Sequence, residues 1–340
     1  MGAAVAIVAA LLATPLLIRL AKANGVGQPI HDAVTQHDAK AGTPTMGGAV
    51  IPLAALAGYG VARAFLGSAP TADGVRVLAT TLAAAVVGGI DDWRKVRSGR
   101  NVGGLTRKGK TALQTPLILA FCVAYVASGS CTSISVTRCA VGIEVGPVGW
   151  VIFAACFLWA TTNAVNFTDG LEGLLAGSGA VTLAALLAIA LWQFRHPGGY
   201  EVPNALDLAI IASCLAAACL GFLWWNGNPM TIFMGDVGSL AIGTAVATLS
   251  LSMGVSLLVV VLGALYVIEG VSVGLQISTW KVYFKPRGTT HRLFKMAPLH
   301  HHFELTGWSE STVLVRFWIL NAIAAALAVA IFYLDALSLR

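Results

Sequence analysis

The stretch Phe233-Met-Gly-Asp-Val-Gly-Ser-Leu240 joins an apolar run ending near Asn226 to another beginning near Leu240. It sets a carboxylate, Asp236, between two glycines at what must be a membrane edge. A carboxylate there is costly unless a metal or a cation partners it. Two more aspartate clusters stand at the ends of other apolar runs: Asp91-Asp92, and Asp169 within Asn163-Ala-Val-Asn-Phe-Thr-Asp-Gly170. Fold and function both turn on whether these clusters meet on one side of a membrane.

The 340 residues are 57% hydrophobic and 11% charged, with mean hydropathy +0.80. Soluble domains carry roughly twice that charged fraction, and a chain of this length has no soluble core large enough for so much apolar surface. The pattern predicts an all-α polytopic membrane protein, one domain over residues 1–340. About ten spans are expected, near 2–22, 46–66, 75–91, 111–128, 149–166, 173–194, 205–226, 232–252, 255–280 and 313–335. Sixteen of the 21 Lys and Arg residues fall in or beside the loops after spans one, three and nine. Those loops are therefore expected to be cytoplasmic, with both termini outside. The net charge of +6 follows this asymmetry and does not suggest nucleic acid. The positive charges of span one follow its apolar run, so it reads as an uncleaved span. Cys131 and Cys139 lie in one outer loop, where an oxidising exterior permits a disulfide.

In chain order, Lys40-Ala-Gly-Thr-Pro-Thr-Met-Gly-Gly48 reads as a tight turn entering span two, with Lys40 and Thr45 beside backbone open to a ligand. Asp91 and Asp92 end span three. Neighbours on a helix diverge by about 100°, so the pair has two roles to fill rather than one. Carboxylates near a helix C-terminus are unfavourable, which suggests use, although Arg94 and Lys95 offer plain pairing. The loop after them is the most basic part of the chain. Lys95 and Lys110 stand out for their nearness to the acidic pair and to the start of span four. Asn166, Asp169, Gly170 and Glu172 fall in a segment with more polar groups than a cap and turn require. Asn226 closes span seven and is a further candidate for substrate contact. Phe233 has two readings, a ring stacked on a ligand or an interfacial anchor. Glu269, near the middle of span nine, is left unassigned. His300, His301 and His302 lack the spacing and companions of a zinc site, and phosphate binding fits them better.

The topology brings Lys40, Asp91, Asp92, Asn166, Asp169, Asp236 and the histidine run to the cytoplasmic face. Carboxylates, lysines and histidines without a nucleophilic Ser or Cys motif fit Mg²⁺-dependent chemistry on a diphosphate, with a lipid as one substrate.

These motifs, together with Ile90-Asp-Asp92 and Pro298-Leu-His-His-His-Phe-Glu304, resemble the phospho-N-acetylmuramoyl-pentapeptide-transferase family of the polyprenyl-phosphate sugar-1-phosphate transferases. The likeness spans nearly the whole chain with the motifs in order. Glu172 stands where that pattern has aspartate. The resemblance implies transfer from UDP-N-acetylmuramoyl-pentapeptide to undecaprenyl phosphate in the bacterial plasma membrane. It is compatible with a homodimer. It also implies roles: Asp236 on Mg²⁺, Asp91 on the lipid phosphate with Asp92 in support, and Asn166 and Asp169 on the nucleotide side. Phe233 would stack on uracil, and Lys40 and the histidines would hold phosphates. The competing readings are a sister N-acetylglucosamine-1-phosphate transferase and an ion-coupled transporter. The latter predicts ionisable residues along a path through the spans, where Glu269 is nearly alone.

Overall fold

The computed structural model describes residues 1–27, 42–99, 103–227, 229–288 and 291–337; Lys40 lies outside them. The described residues form thirteen α-helices and one two-stranded hairpin. They are α1 (Gly2–Ala23), α2 (Val50–Leu66), α3 (Ala72–Ser98), α4 (Arg107–Ala127), α5 (Gly146–Thr168), α6 (Leu174–Arg195), α7 (Pro197–Tyr200), α8 (Ala205–Asn226), α9 (Gly235–Ser252), α10 (Leu258–Leu262), α11 (Ala264–Thr279), α12 (Leu299–Leu305) and α13 (Glu310–Leu337). The strands β1 (Ser133–Ile134) and β2 (Ile143–Glu144) pair antiparallel, and Cys131 and Cys139 are disulfide-bonded beside them.

Eight helices are long and apolar enough to cross a membrane: α1, α2 with its entering turn, α3, α4, α5, α6, α8 and α13. They match expected spans one to seven and ten. The other two spans differ from simple rods. Span eight becomes α9, 18 residues long and buried from Val237 through Leu251. It is the central helix, which explains why small and hydroxylated residues are so frequent in it. Span nine is divided at Gly263 into α10 and α11.

Close backbone approach organises the packing around α9. A Cβ on Gly88 of α3 would collide with the Asp236 carbonyl, and one on Gly48 with the Cα of Gly238. Glycine at both positions lets α3 and the start of α2 lie directly on the first turn of α9. Elsewhere Gly2 of α1 meets Gly58 and Ala62 of α2 and Cys214 of α8, the small-residue contact expected where burial alone does not drive helix association. One large apolar cluster joins α1, α2, α6, α8 and α9. A smaller one, with Trp150 stacked on Tyr125 at 4.2 Å, joins α4 and α5 to α9.

Candidate active site

The site is assembled where α3 ends and α9 begins. Asp91 and Asp92 are 1% and 3% exposed, so their charge must be met by protein groups. The divergence of neighbours on a helix is used to face two different elements. Asp91 turns to the loop before α4, where its Oδ1 accepts the Leu105 N–H at 2.6 Å. Asp92 turns to α9, where its Oδ2 accepts the Val237 N–H at 3.0 Å. Lys95, one turn on, reaches both, its Nζ 2.6 Å from Asp91 Oδ2 and 3.5 Å from Asp92 Oδ1.

Asp236 lies in the first turn of α9, where the helix dipole favours an anion. Its Oδ2 takes Lys95 Nζ at 2.8 Å and Lys110 Nζ at 2.6 Å. Its Oδ1 accepts from Asn166 Nδ2 at 2.8 Å, and the same amide reaches Ser239 Oγ at 2.6 Å. Gly235 precedes it with φ +75°, a conformation costly for other residues, and a Cβ there would also crowd Asp92 Oδ2. Asp91, Asp92 and Asp236 each offer an oxygen within 4.8 Å of the others, a cluster able to hold a metal ion. All-oxygen donors of this kind suit a hard divalent cation.

Around this centre the other sequence candidates are distributed unevenly. The segment 44–48 runs beside Phe233 and Met234: Phe233 N–H donates to Pro44 O at 2.8 Å, and Gly47 and Gly48 N–H donate to Phe233 O and Met234 O, each at 2.9 Å. Thr45 is thereby buried, and Phe233 stays partly exposed. Asn226 is a backbone bracket, accepting from Gly173 N at 3.0 Å and donating to Ile232 O at 2.9 Å. It ties the turn after α5 to the approach to α9. Asp169 ends α5; burial, then the charges of Asp236 and Asp92, push its carboxyl well above the usual carboxylate range. Glu172 is partly exposed.

The histidines occupy three different settings. His300 is fully buried, with Nδ1 3.1 Å from Glu269 Oε1. His301 places Nδ1 2.6 Å from Glu304 Oε2 and keeps part of its ring exposed. His302 Nδ1 accepts the Lys295 N–H at 3.1 Å, which fixes that ring to its own loop. A Cβ on Gly170 would run into His300 Nε2 and lie 3.2 Å from His301 Nε2, so α12 rests on the Asp169–Gly170 turn.

Sequence reasoning missed three contributors. Ser239 shares the Asn166 amide. Gly104 lets its loop settle on Asp91, where a Cβ would come within 2.9 Å of Oδ1. Glu269 was noticed without a role, although an intramembrane carboxylate is itself a signal of one; here it accepts from the start of α12.

A model of glycosyl transferase family 4 matches residues 75–254, the region that carries Asp91, Asp92 and Asp236. A phospho-N-acetylmuramoyl-pentapeptide-transferase of Saccharopolyspora erythraea is 45% identical over 99% of this chain and 97% of its own length. Proteins of the same name from Frankia alni and Mycobacterium tuberculosis are 43% and 45% identical, over 99% and 97% of this chain and 97% and 95% of their own lengths. Near-complete coverage at such identity, over a bundle whose family motifs converge on one carboxylate centre, places the chain in glycosyl transferase family 4, among the phospho-N-acetylmuramoyl-pentapeptide-transferases.

Proposed function

We propose that the protein transfers phospho-N-acetylmuramoyl-pentapeptide from its UDP carrier to undecaprenyl phosphate, giving lipid I and UMP, on the cytoplasmic face of a bacterial plasma membrane. The observation that carries this reading is the convergence of Asp91, Asp92 and Asp236 on Lys95 and Lys110 at one end of a membrane bundle. Two anionic phosphates must approach one another in this reaction, and charge neutralisation is the main task of such a site. Lys95 and Lys110 supply two positive charges that can follow the phosphates as they react. Asp91, turned towards the basic loop, would hold the proton or the oxygen of the attacking lipid phosphate. Asn166 and Ser239 keep Asp236 in register from the side opposite the lysines.

The three aspartates fit Mg²⁺, and Asp236, at the most accessible edge of the cluster, would be its principal ligand. When bound, the ion would draw charge from the diphosphate oxygens. Asp169, Gly170, Glu172 and the partly exposed Phe233 would meet the nucleotide, with Lys40 and the histidine run supplying groups for its phosphates. We read the transfer as a single displacement by the lipid phosphate.

The test is UMP release by purified protein given UDP-N-acetylmuramoyl-pentapeptide, undecaprenyl phosphate and Mg²⁺. Lipid-dependent release that is lost in Asp236→Ala supports the assignment. Release from UDP-N-acetylglucosamine instead would move the protein to the sister reaction. A phosphorylated enzyme trapped with nucleotide substrate alone would overturn the single displacement.

A further inference from the structure

Glu269 is fully buried on α11 and far in sequence from the groups it touches. Its Oε2 accepts the Leu299 N–H at 2.6 Å, and its Oε1 accepts the His300 N–H at 3.2 Å. The same Oε1 lies 3.1 Å from His300 Nδ1. A single carboxylate therefore satisfies two of the orphan amides at the start of α12 and one ring nitrogen of its first histidine. Both oxygens of the carboxyl accept backbone N–H groups, so it is the acceptor here and Nδ1 carries the hydrogen of that contact. That leaves Nε2 of His300, which faces Gly170 and is buried with no hydrogen-bond partner among the described residues. Burial, joined by the neighbouring His301, lowers the basicity of His300, while Glu269 and Glu304 oppose this. The net direction favours a neutral ring with its lone pair on Nε2.

The three histidines of the run are thus not equivalent. His302 is bound to the loop that holds it, and His300 is closed in between Glu269 and the Asp169–Gly170 turn. His301, leaning on His300 with ring centroids 4.2 Å apart, keeps exposed surface and aims Nε2 at the same turn. We propose that Glu269 is a positioning residue for the transfer: acting through His300, it seats α12 on the Asp169–Gly170 turn and leaves His301 as the histidine that meets the nucleotide substrate. This rests on the reaction proposed above for the ligand, whereas the state of His300 does not.

The experiment has two arms. The first is 15N NMR of full-length protein labelled on histidine, with His300 assigned from the spectrum of His300→Asn. A proton on Nδ1 with Nε2 bare is expected at neutral pH; a proton on Nε2 alone, or on both nitrogens, overturns the proposal. The second is kinetic. Glu269→Gln keeps the shape but turns an amide N–H towards donors, and it should raise KM for the nucleotide substrate roughly tenfold. KM for the lipid phosphate should not change. The double variant Glu269→Gln/His300→Asn should lose clearly less than the product of the two single defects, because part of the carboxylate's effect runs through that ring. A fall in kcat with both KM values intact, or defects that multiply, would reduce Glu269 to a stabilising residue. If the wild type shows no transfer, the reaction reading fails, and the first arm still decides the state of His300.

Discussion

Two aspartates at opposite ends of the bundle, Asp207 and Asp236, make an instructive pair. Asp207, in the first turn of α8, is 1% exposed. Its Oδ1 takes Arg63 Nη1 at 2.7 Å, while its Oδ2 accepts from Tyr59 Oη at 2.8 Å, Thr71 N at 3.0 Å and Thr71 Oγ1 at 2.5 Å. One carboxylate has its own guanidinium, and both oxygens are engaged. The centre at Asp236 is built differently: three carboxylates share two ammonium groups, and Lys95 touches all three. The first arrangement is neutral and closed. The second has more carboxylates than cations, and its cations are carried on flexible stems. The two carboxylates thus differ in whether their partners match them in charge and number.

Substitutions at the two ends should separate these cases. Asp236→Asn is expected to reduce UMP release by roughly 10³-fold or more. Its melting temperature should equal or exceed that of the wild type, because one of three crowded negative charges is gone; a large loss of stability would erase the distinction. Chelation by EDTA should stop transfer with the fold intact, and added Mg²⁺ should restore it. Asp207→Asn should do the reverse. It leaves Arg63 without a counter-charge, for a loss of about 3–5 kcal/mol in stability, while the folded fraction keeps its KM values. Denaturation followed beside initial rates reads both quantities.

Two smaller effects sharpen the same contrast. Gly88→Ala places a methyl group on the Asp236 carbonyl and pushes α3 off α9. A shift of this kind should lower kcat by about 10²-fold, with Asp91 and Asp92 still present. The histidine run gives the last. Burial holds the folded pKa of His300 below its unfolded value of about 6.5, so the unfolded chain takes up the proton first. The stability this supplies is complete above that pH and is lost as pH falls below it, by at most about 1.4 kcal/mol per unit. Melting curves between pH 8 and 5 should show a decline that is shallower in His300→Asn.

Apolar runs with flanking basic loops were enough to give the membrane bundle, because a backbone without water can satisfy itself only within helices. Helix ends were less legible. Span nine read as one continuous stretch, and the structure divides it at Gly263 into α10, which packs on α13, and α11, which packs on α5. Asp91, Asp92 and Asp236 were visible as a possible centre, because charge at a membrane edge demands a partner wherever the chain goes. Their arrangement was not visible. Asn226 was one of the substrate candidates, and its bridge between the Gly173 and Ile232 backbones was not legible, because an amide has the same signature whether it meets backbone or ligand.

The sequence by itself determined the helices, the motifs and, through their order and identity, the family; these depend on local hydrophobic pattern and on residue type. Asp207 and Asp236 carry nearly the same local signature, a carboxylate opening an apolar run. Only the tertiary structure gave one a private arginine and the other two shared lysines and two neighbouring aspartates. It likewise turned Glu269 from an isolated mid-span acid into the partner of His300. The reason is the same in each case: the energy of a buried charge is set by the groups that surround it in space, and those groups come from distant parts of the chain.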